Sequence, residues 1–226
     1  MIKSIFQKLL HKSGKEYQID SRIPSGLFYL TLYQRFVMLL RGLWKTRRKV
    51  FIGAGTSLHH VKNIHFGQSV TIDRHCVIDG YASEPIQLGD CVKIGAFSTV
   101  SSTSHLSKLG IGLKMGNHSA VGMFTEFGAA GGIVIGSNVI MGSYVSFHSE
   151  NHNFADPDIP IRLQGVTSKG ITIGDNVWVG AKVTFLDGCR VGNHCVVAAG
   201  AVVNGEYPDH CVIGGVPAKV LKMLQP

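Results

Sequence analysis

The chain has 226 residues, of which 45% are hydrophobic and 16% charged, with 28 glycines. That mix excludes a disordered chain, and the length fits one good-sized domain or a domain with a small appendage. The formal net charge of +8 suits solubility and the binding of small phosphates, and no nucleic-acid-binding motif accompanies it, so no nucleic-acid partner is expected.

The first twenty residues lack the uncharged apolar run and cleavage signature of a secretory signal. The stretch LFYLTLYQRFVMLLRGLWKTRRK, residues 27–49, is more informative. Arg35 and Arg41 interrupt its apolar run, which disfavours a membrane span. Two readings stay open. Residues 1–49 are a helical, basic cap on the main domain, or 27–49 is an amphipathic foot on an anionic membrane, with Lys45, Arg47, Arg48 and Lys49 as its basic tail.

From about residue 50 an apolar residue recurs every six positions, in blocks: Phe66, Ile72, Ile78; Leu88, Ile94, Val100; Met115, Val121, Phe127; Ile135, Met141, Phe147; then Ile173, Val179, Phe185, Val191, Val197 and Val203. Of these 18 residues 11 are followed directly by Gly, against roughly two by chance, so the period is real. Four positions further on sits a small or β-branched residue: Val70, Cys76, Val92, Ser98, Ser119, Val139, Val145, Val177, Val183, Cys189 and Cys195. Six residues with two inward positions make one short strand and one turn, and Gly is expected to supply turn conformations that side chains resist. Three units close a triangular coil of about 18 residues, and coils stack about 4.8 Å apart.

The expected architecture is therefore all-β, a parallel β-helix over 50–214, with 1–49 as an N-terminal helical cap and 215–226 as a short C-terminal tail. Cys189 and Cys195 share one phase of the repeat and are expected to stack as small hydrophobes in its core. The five cysteines, Cys76, Cys91, Cys189, Cys195 and Cys211, form no Cys-x-x-Cys pair. Their odd number argues against a disulfide framework and for a reducing compartment.

The period breaks near 79–87, 101–114, 128–134 and, longest, 148–172. A coil cannot bury such extra residues, so they project as loops, the first of them only a bulge in the wall. The longest break opens with SFHSENHNFADPDIP, residues 146–160, which holds two histidines four apart.

ITIGDNVWVGAKVTFLDGCRVGNHCVVAAGAVV (171–203), VIGGVPAKVLK (212–222) and ENHNF resemble the central run, C-terminal signature and histidine loop of the hexapeptide-repeat acyltransferases. The resemblance covers roughly residues 50–224 and is strongest to the galactoside, maltose and xenobiotic O-acetyltransferase branch. FGAAGGIVIG and PIRLQG add a weaker likeness to enzymes that O-acetylate cell-surface polysaccharide or its precursors. The resemblance implies a left-handed coil and a homotrimer with active sites between subunits. It implies acetyl-CoA as donor, no required metal, and a sugar or polysaccharide acceptor. The expected place is the cytoplasm, including the inner face of the membrane.

Transfer of acetyl from a thioester to a hydroxyl needs a base for the hydroxyl proton and a donor for the oxyanion. The resemblance places that base at His152, acting in a ternary complex without an acyl-enzyme. His148, Glu150 and Glu126 are candidate acceptor-side residues, Glu150 also as a partner for the His152 ring. The cofactor positions implied are Gly180, Ala181, Ala199 and Asn204, with Trp178 beside the pantetheine arm and Lys219 and Lys222 for the 3′-phosphate. Lysine acts there as a point charge rather than a bidentate fork. Other readings remain open: an antibiotic or small-molecule O-acetyltransferase, a γ-class carbonic anhydrase using His118, His148 and His152 as zinc ligands, or a non-catalytic trimeric scaffold.

Overall fold

The computed structural model describes residues 2–12, 18–20, 22–103, 105–106 and 108–225. Helices α1 (Ile2–Lys12) and α2 (Ser25–Thr46) precede a run of short strands that reaches Met223. From Phe51 onward successive strands fall in turn into a first, a second and a third face, of nine, seven and seven strands. Strands of neighbouring coils pair in parallel on every face, as Ile52 with Ile72, Leu58 with Ile78 and Phe66 with Leu88 do. The chain is a three-sided parallel solenoid.

All eighteen apolar positions of the six-residue period are buried, and so are the eleven small or β-branched positions four residues on. Because pairing is in register, like inward positions stack. On the second face Phe127 lies under Phe147 and Phe147 under Phe185, with ring centroids 4.8 and 4.9 Å apart. That is the spacing of hydrogen-bonded strands, so backbone pairing and side-chain packing demand the same geometry.

Two corners are tight. Between the third and first faces a side-chain oxygen accepts an N–H of the coil before at five places: Asp90 from Gln68, Asn117 from Asp90, Asp175 from Ser137, Asn193 from Asp175 and Asp209 from Asn193. The Asn193 backbone N–H holds the Asp209 carboxyl below its usual range. Glycine supplies the left-handed turn conformation at these corners only at Gly55 and Gly200. Elsewhere the left-handed backbone falls on residues such as His118, Asn138, Asn176 and His194. Glycine is needed for approach: a Cβ on Gly142 would stand 2.6 Å from the Ala181 nitrogen in the next coil. Between the first and second faces the left-handed residues His75, Phe97, Phe124 and Tyr144 stack outside the coil.

The expected 18-residue coil holds for Trp178 to Val196, but Ile140 pairs with Trp178 38 residues on. The excess enters at one place, the corner between the second and third faces, as segments 80–85, 102–112, 129–132 and 149–170. Extra residues there leave the tight corners and the register untouched. Cys189 and Cys195 are both buried but do not stack, since residues six apart lie at neighbouring corners; Cys195 Sγ meets Cys211 Sγ at 3.6 Å instead.

Both ends of the solenoid are covered. α2 lies over the first coil, where Arg35 sits 3.5 Å above the Phe51 ring and donates to Thr71 Oγ1, and Arg41 donates to the Ile52 carbonyl. The arginines that interrupt the apolar run are thus its attachment to the coil. Its other side exposes Tyr29, Tyr33, Phe36, Leu40, Leu43 and Trp44. No helix of the described residues is long and apolar enough to cross a membrane. At the far end the expected tail is a strand: Ala218–Met223 folds back antiparallel on Cys211–Gly215 and extends the first face. Only Ala218 of AKVLKM is buried, so the strand carries no alternating pattern by which the sequence could have shown it.

Burial pushes the Cys189 thiol up to about 12 and that of Cys211 likewise to about 12. Four cysteines are buried, and Cys91 is half-buried. At pH 8 the native protein should react with no more than one equivalent of a thiol reagent, at Cys91, and with five after unfolding. Rapid reaction of a second thiol in the native state would contradict this core.

Candidate active site

The longest excursion is an ordered arm. Ser149, fully buried at its root, donates to the Gly128 carbonyl at 2.7 Å and accepts the Gly131 N–H at 2.9 Å. Asn151–His152 then pairs antiparallel with Val166–Thr167, so His152 sits opposite Val166. At the tip the Gln164 amide donates to the carbonyls of Asp156 and Ile159 at 2.7 and 2.6 Å, and its oxygen accepts the Asp156 N–H. The returning chain is fastened where Asp187 Oδ1 accepts both the Lys169 and Gly170 N–H groups at 2.8 Å.

Beside the arm lies segment 102–112, inserted at the same corner, and a cavity of about 400 Å³ separates them. His152, Glu150 and Arg162 line it from the arm, and His105 and Lys108 from the other side. His152 is exposed, and its ring has no hydrogen-bond partner among the described residues. Glu150 does not hold it as the sequence reading allowed: its carboxylate faces Lys108, at 3.7 Å from Nζ. Lys108 also donates to Ser168 Oγ at 2.8 Å. The sequence reading passed over His105, Lys108 and Arg162. Their signal was available only in part, since 101–114 and 148–172 were visible as breaks but not as neighbours.

The structure separates the other expected positions. His148 ends its strand on the outer side of the second face, and Glu126 starts its strand one coil earlier on the same surface; both are exposed and neither lines the cavity. Gly180, Ala181 and Ala199 lie together at the corner between the first and second faces, where a Cβ on Gly180 would meet the Ala199 nitrogen at 2.5 Å. Trp178 is 58% exposed on the first face and lines a separate depression of about 510 Å³ with His194 and His210. Lys219 and Lys222 are exposed on the closing strand, and Asn204 is exposed just past the last strand of the second face. His118 stands at the corner between the third and first faces, so His118, His148 and His152 are not gathered around one point of this chain.

Residues 170–205 match the family model "Bacterial transferase hexapeptide (six repeats)". A protein of Mycobacterium tuberculosis named as a probable acetyltransferase is 27% identical over 180 residues, covering 80% of this chain and 52% of that protein. A protein of Escherichia coli, whose name proposes O-acetyl transfer in lipopolysaccharide biosynthesis, is 37% identical over 97 residues, covering 40% of this chain and 50% of its own. The chain thus spans about half the length of the curated relatives it matches. Among solved structures an N-acyltransferase of Bacillus cereus, crystallised with a dTDP-amino sugar and coenzyme A, superposes with a TM-score of 0.51 at 18% identity, covering 78% of this chain and 82% of that one. The solenoid is accordingly a left-handed parallel β-helix of the hexapeptide-repeat class. Over residues 170–205 the chain carries the hexapeptide repeat, and along its length it is similar to proteins named as acetyltransferases.

Gln164→Ala removes three hydrogen bonds at the arm tip, each worth about 0.5–1.5 kcal/mol net. Amides of 153–165 should then exchange hydrogen about tenfold faster or more, while the unfolding midpoint of the solenoid stays in place. Unchanged exchange would show that Gln164 does not brace the arm.

Proposed function

We propose that the protein is an acetyl-CoA-dependent O-acetyltransferase acting on a sugar hydroxyl of a cell-surface polysaccharide or its precursor. The observation that carries this is His152, held on a braced arm at the rim of a cavity large enough for a sugar unit. In the reaction His152 takes the acceptor hydroxyl proton as the oxygen attacks the thioester carbonyl. The tetrahedral intermediate collapses, the C–S bond breaks, and the imidazolium returns the proton to the departing thiolate. No acyl-enzyme is formed. Among relatives, the E. coli protein named for lipopolysaccharide biosynthesis favours a glycan acceptor over an antibiotic.

The proposed cofactor positions call for an assembly of copies. Gly180, Ala181 and Ala199 stand at one end of the second face and the His152 arm leaves the other. Coenzyme A laid against that first corner leaves its thioester a full face away from the base of the same chain. A neighbouring copy that brings its arm to this corner closes the gap, and a homotrimer gives each copy one such neighbour. The outer side of the second face, with Glu126 and His148, is then the floor between the two. Trp178 flanks the pantetheine arm, Asn204 bounds the last coil, and Lys219 and Lys222 offer the 3′-phosphate two cations.

His152→Ala should lower the turnover number about 10²- to 10⁴-fold while trimer formation and coenzyme A affinity are retained. Measured with labelled acetyl-CoA over nucleotide sugars, free sugars and polysaccharide, retained transfer would sink the assignment. The exposed stripe Tyr29, Tyr33, Phe36, Leu40 and Trp44, with Arg47, Arg48 and Lys49 beyond it, supports a peripheral seat on an anionic membrane at its inner face. Vesicles with anionic lipid should sediment the intact protein and release it as salt rises. If they do not, the stripe belongs to another surface, such as a second copy of the chain.

A further inference from the structure

The cavity beside His152 is cationic. Lys108 and Arg162 line it against a single carboxylate, Glu150, so with neutral histidines its lining carries one surplus positive charge. The Glu150 carboxylate is already engaged by Lys108. Arg162 has no ion pair or side-chain hydrogen bond among the described residues. The remaining lining residues include Gly110, Ala130, Gly165 and Val166, which offer a small ligand little besides backbone. A neutral sugar can accept a hydrogen bond from the exposed Arg162 guanidinium but leaves its charge uncompensated. A carboxylate or a phosphate gains two parallel charge-assisted hydrogen bonds. A concave site walled by protein focuses that field.

We infer that the acceptor is an anionic sugar, bound with its carboxylate or phosphate on Arg162 and its reacting hydroxyl at His152. The inference rests on the O-acetyltransferase reading for the hydroxyl, but not for the anion. Lys108, tied to Glu150 and Ser168, lines the same cavity from the neighbouring segment and adds a second cation to it. The ligand joins two segments that the fold brings to one corner, and it selects among sugars by charge.

The test uses the full chain in its own assembly, with ¹⁵N-labelled histidine and the His152 ring signal assigned through His152→Asn. Glucuronate and glucose 6-phosphate should each shift the His152 signal, and glucose at the same concentration should not. Arg162→Gln should weaken the anions about tenfold or more, and Arg162→Lys, which keeps the charge but loses the fork, should fall between. A response to one anion alone identifies the carboxylate or the phosphate as the group held. Equal shifts with glucose, no shift with either anion, or undiminished binding in Arg162→Gln would each overturn the inference. These shifts need no acetyl-CoA. Anion binding without acetylation of any sugar would leave the anion site standing and remove the transferase reading instead.

Discussion

Coils of this protein can stack only if each inward side chain fits directly on its counterpart one coil away. Parallel pairing fixes the separation at strand spacing, and the Phe127–Phe147–Phe185 stack at 4.8 and 4.9 Å shows side chains obeying it. Every other feature has to fit around this constraint. At the tight corners the next backbone passes so close that no Cβ fits, as at Gly142, and the local conformation is left-handed on residues such as Asn138. Asn and His tolerate that conformation better than β-branched residues do. An Asp or Asn oxygen then caps the N–H of the neighbouring coil, so the polar groups of the turn are satisfied without water.

The same constraint decides where chemistry can reside. A stacked wall offers short strands and turns but no enclosed volume. Additional residues are tolerated only where they leave the register alone, and all the large excursions use the corner between the second and third faces. Loops far apart in sequence are therefore neighbours: segment 102–112 meets the arm 149–170 across a cavity. His152 comes to this space from a strand of the arm, Arg162 from the 3-10 turn Ile161–Leu163 of the same arm, and Lys108 from another coil. Gly180, Ala181 and Ala199, proposed for the cofactor, lie at the preceding corner a face away, so the proposed reaction requires a second copy of the chain.

A solenoid also has two raw ends, with unpaired strand edges that invite aggregation. α2 covers one, anchored by the guanidinium of Arg35, whose burial lowers its pKa, against Phe51 and Thr71. The strand Ala218–Met223 covers the edge of the first face at the other end, and Tyr207 ties it down through a hydrogen bond to the Ala218 carbonyl. The arginine interrupting the apolar run of α2 and the short C-terminal segment thus fasten the two ends, and the apolar stripe of α2 is left for another surface.

The period of six, the inward positions, the three-sided coil and the sites of interruption were legible in the sequence, because burial on a short strand is a local pattern. So was the singular histidine loop, through its resemblance to a family. Three things were not. The role of glycine depends on how near the next coil runs, the closing strand depends on an edge left open by the coil before it, and the meeting of Lys108 with Glu150 and Arg162 depends on two loops sharing a corner. Each is a relation between segments separated along the chain. The sequence determined the repeat and the candidate base; only the tertiary structure decided which loops face one another, because register between coils is set by stacking across the whole solenoid.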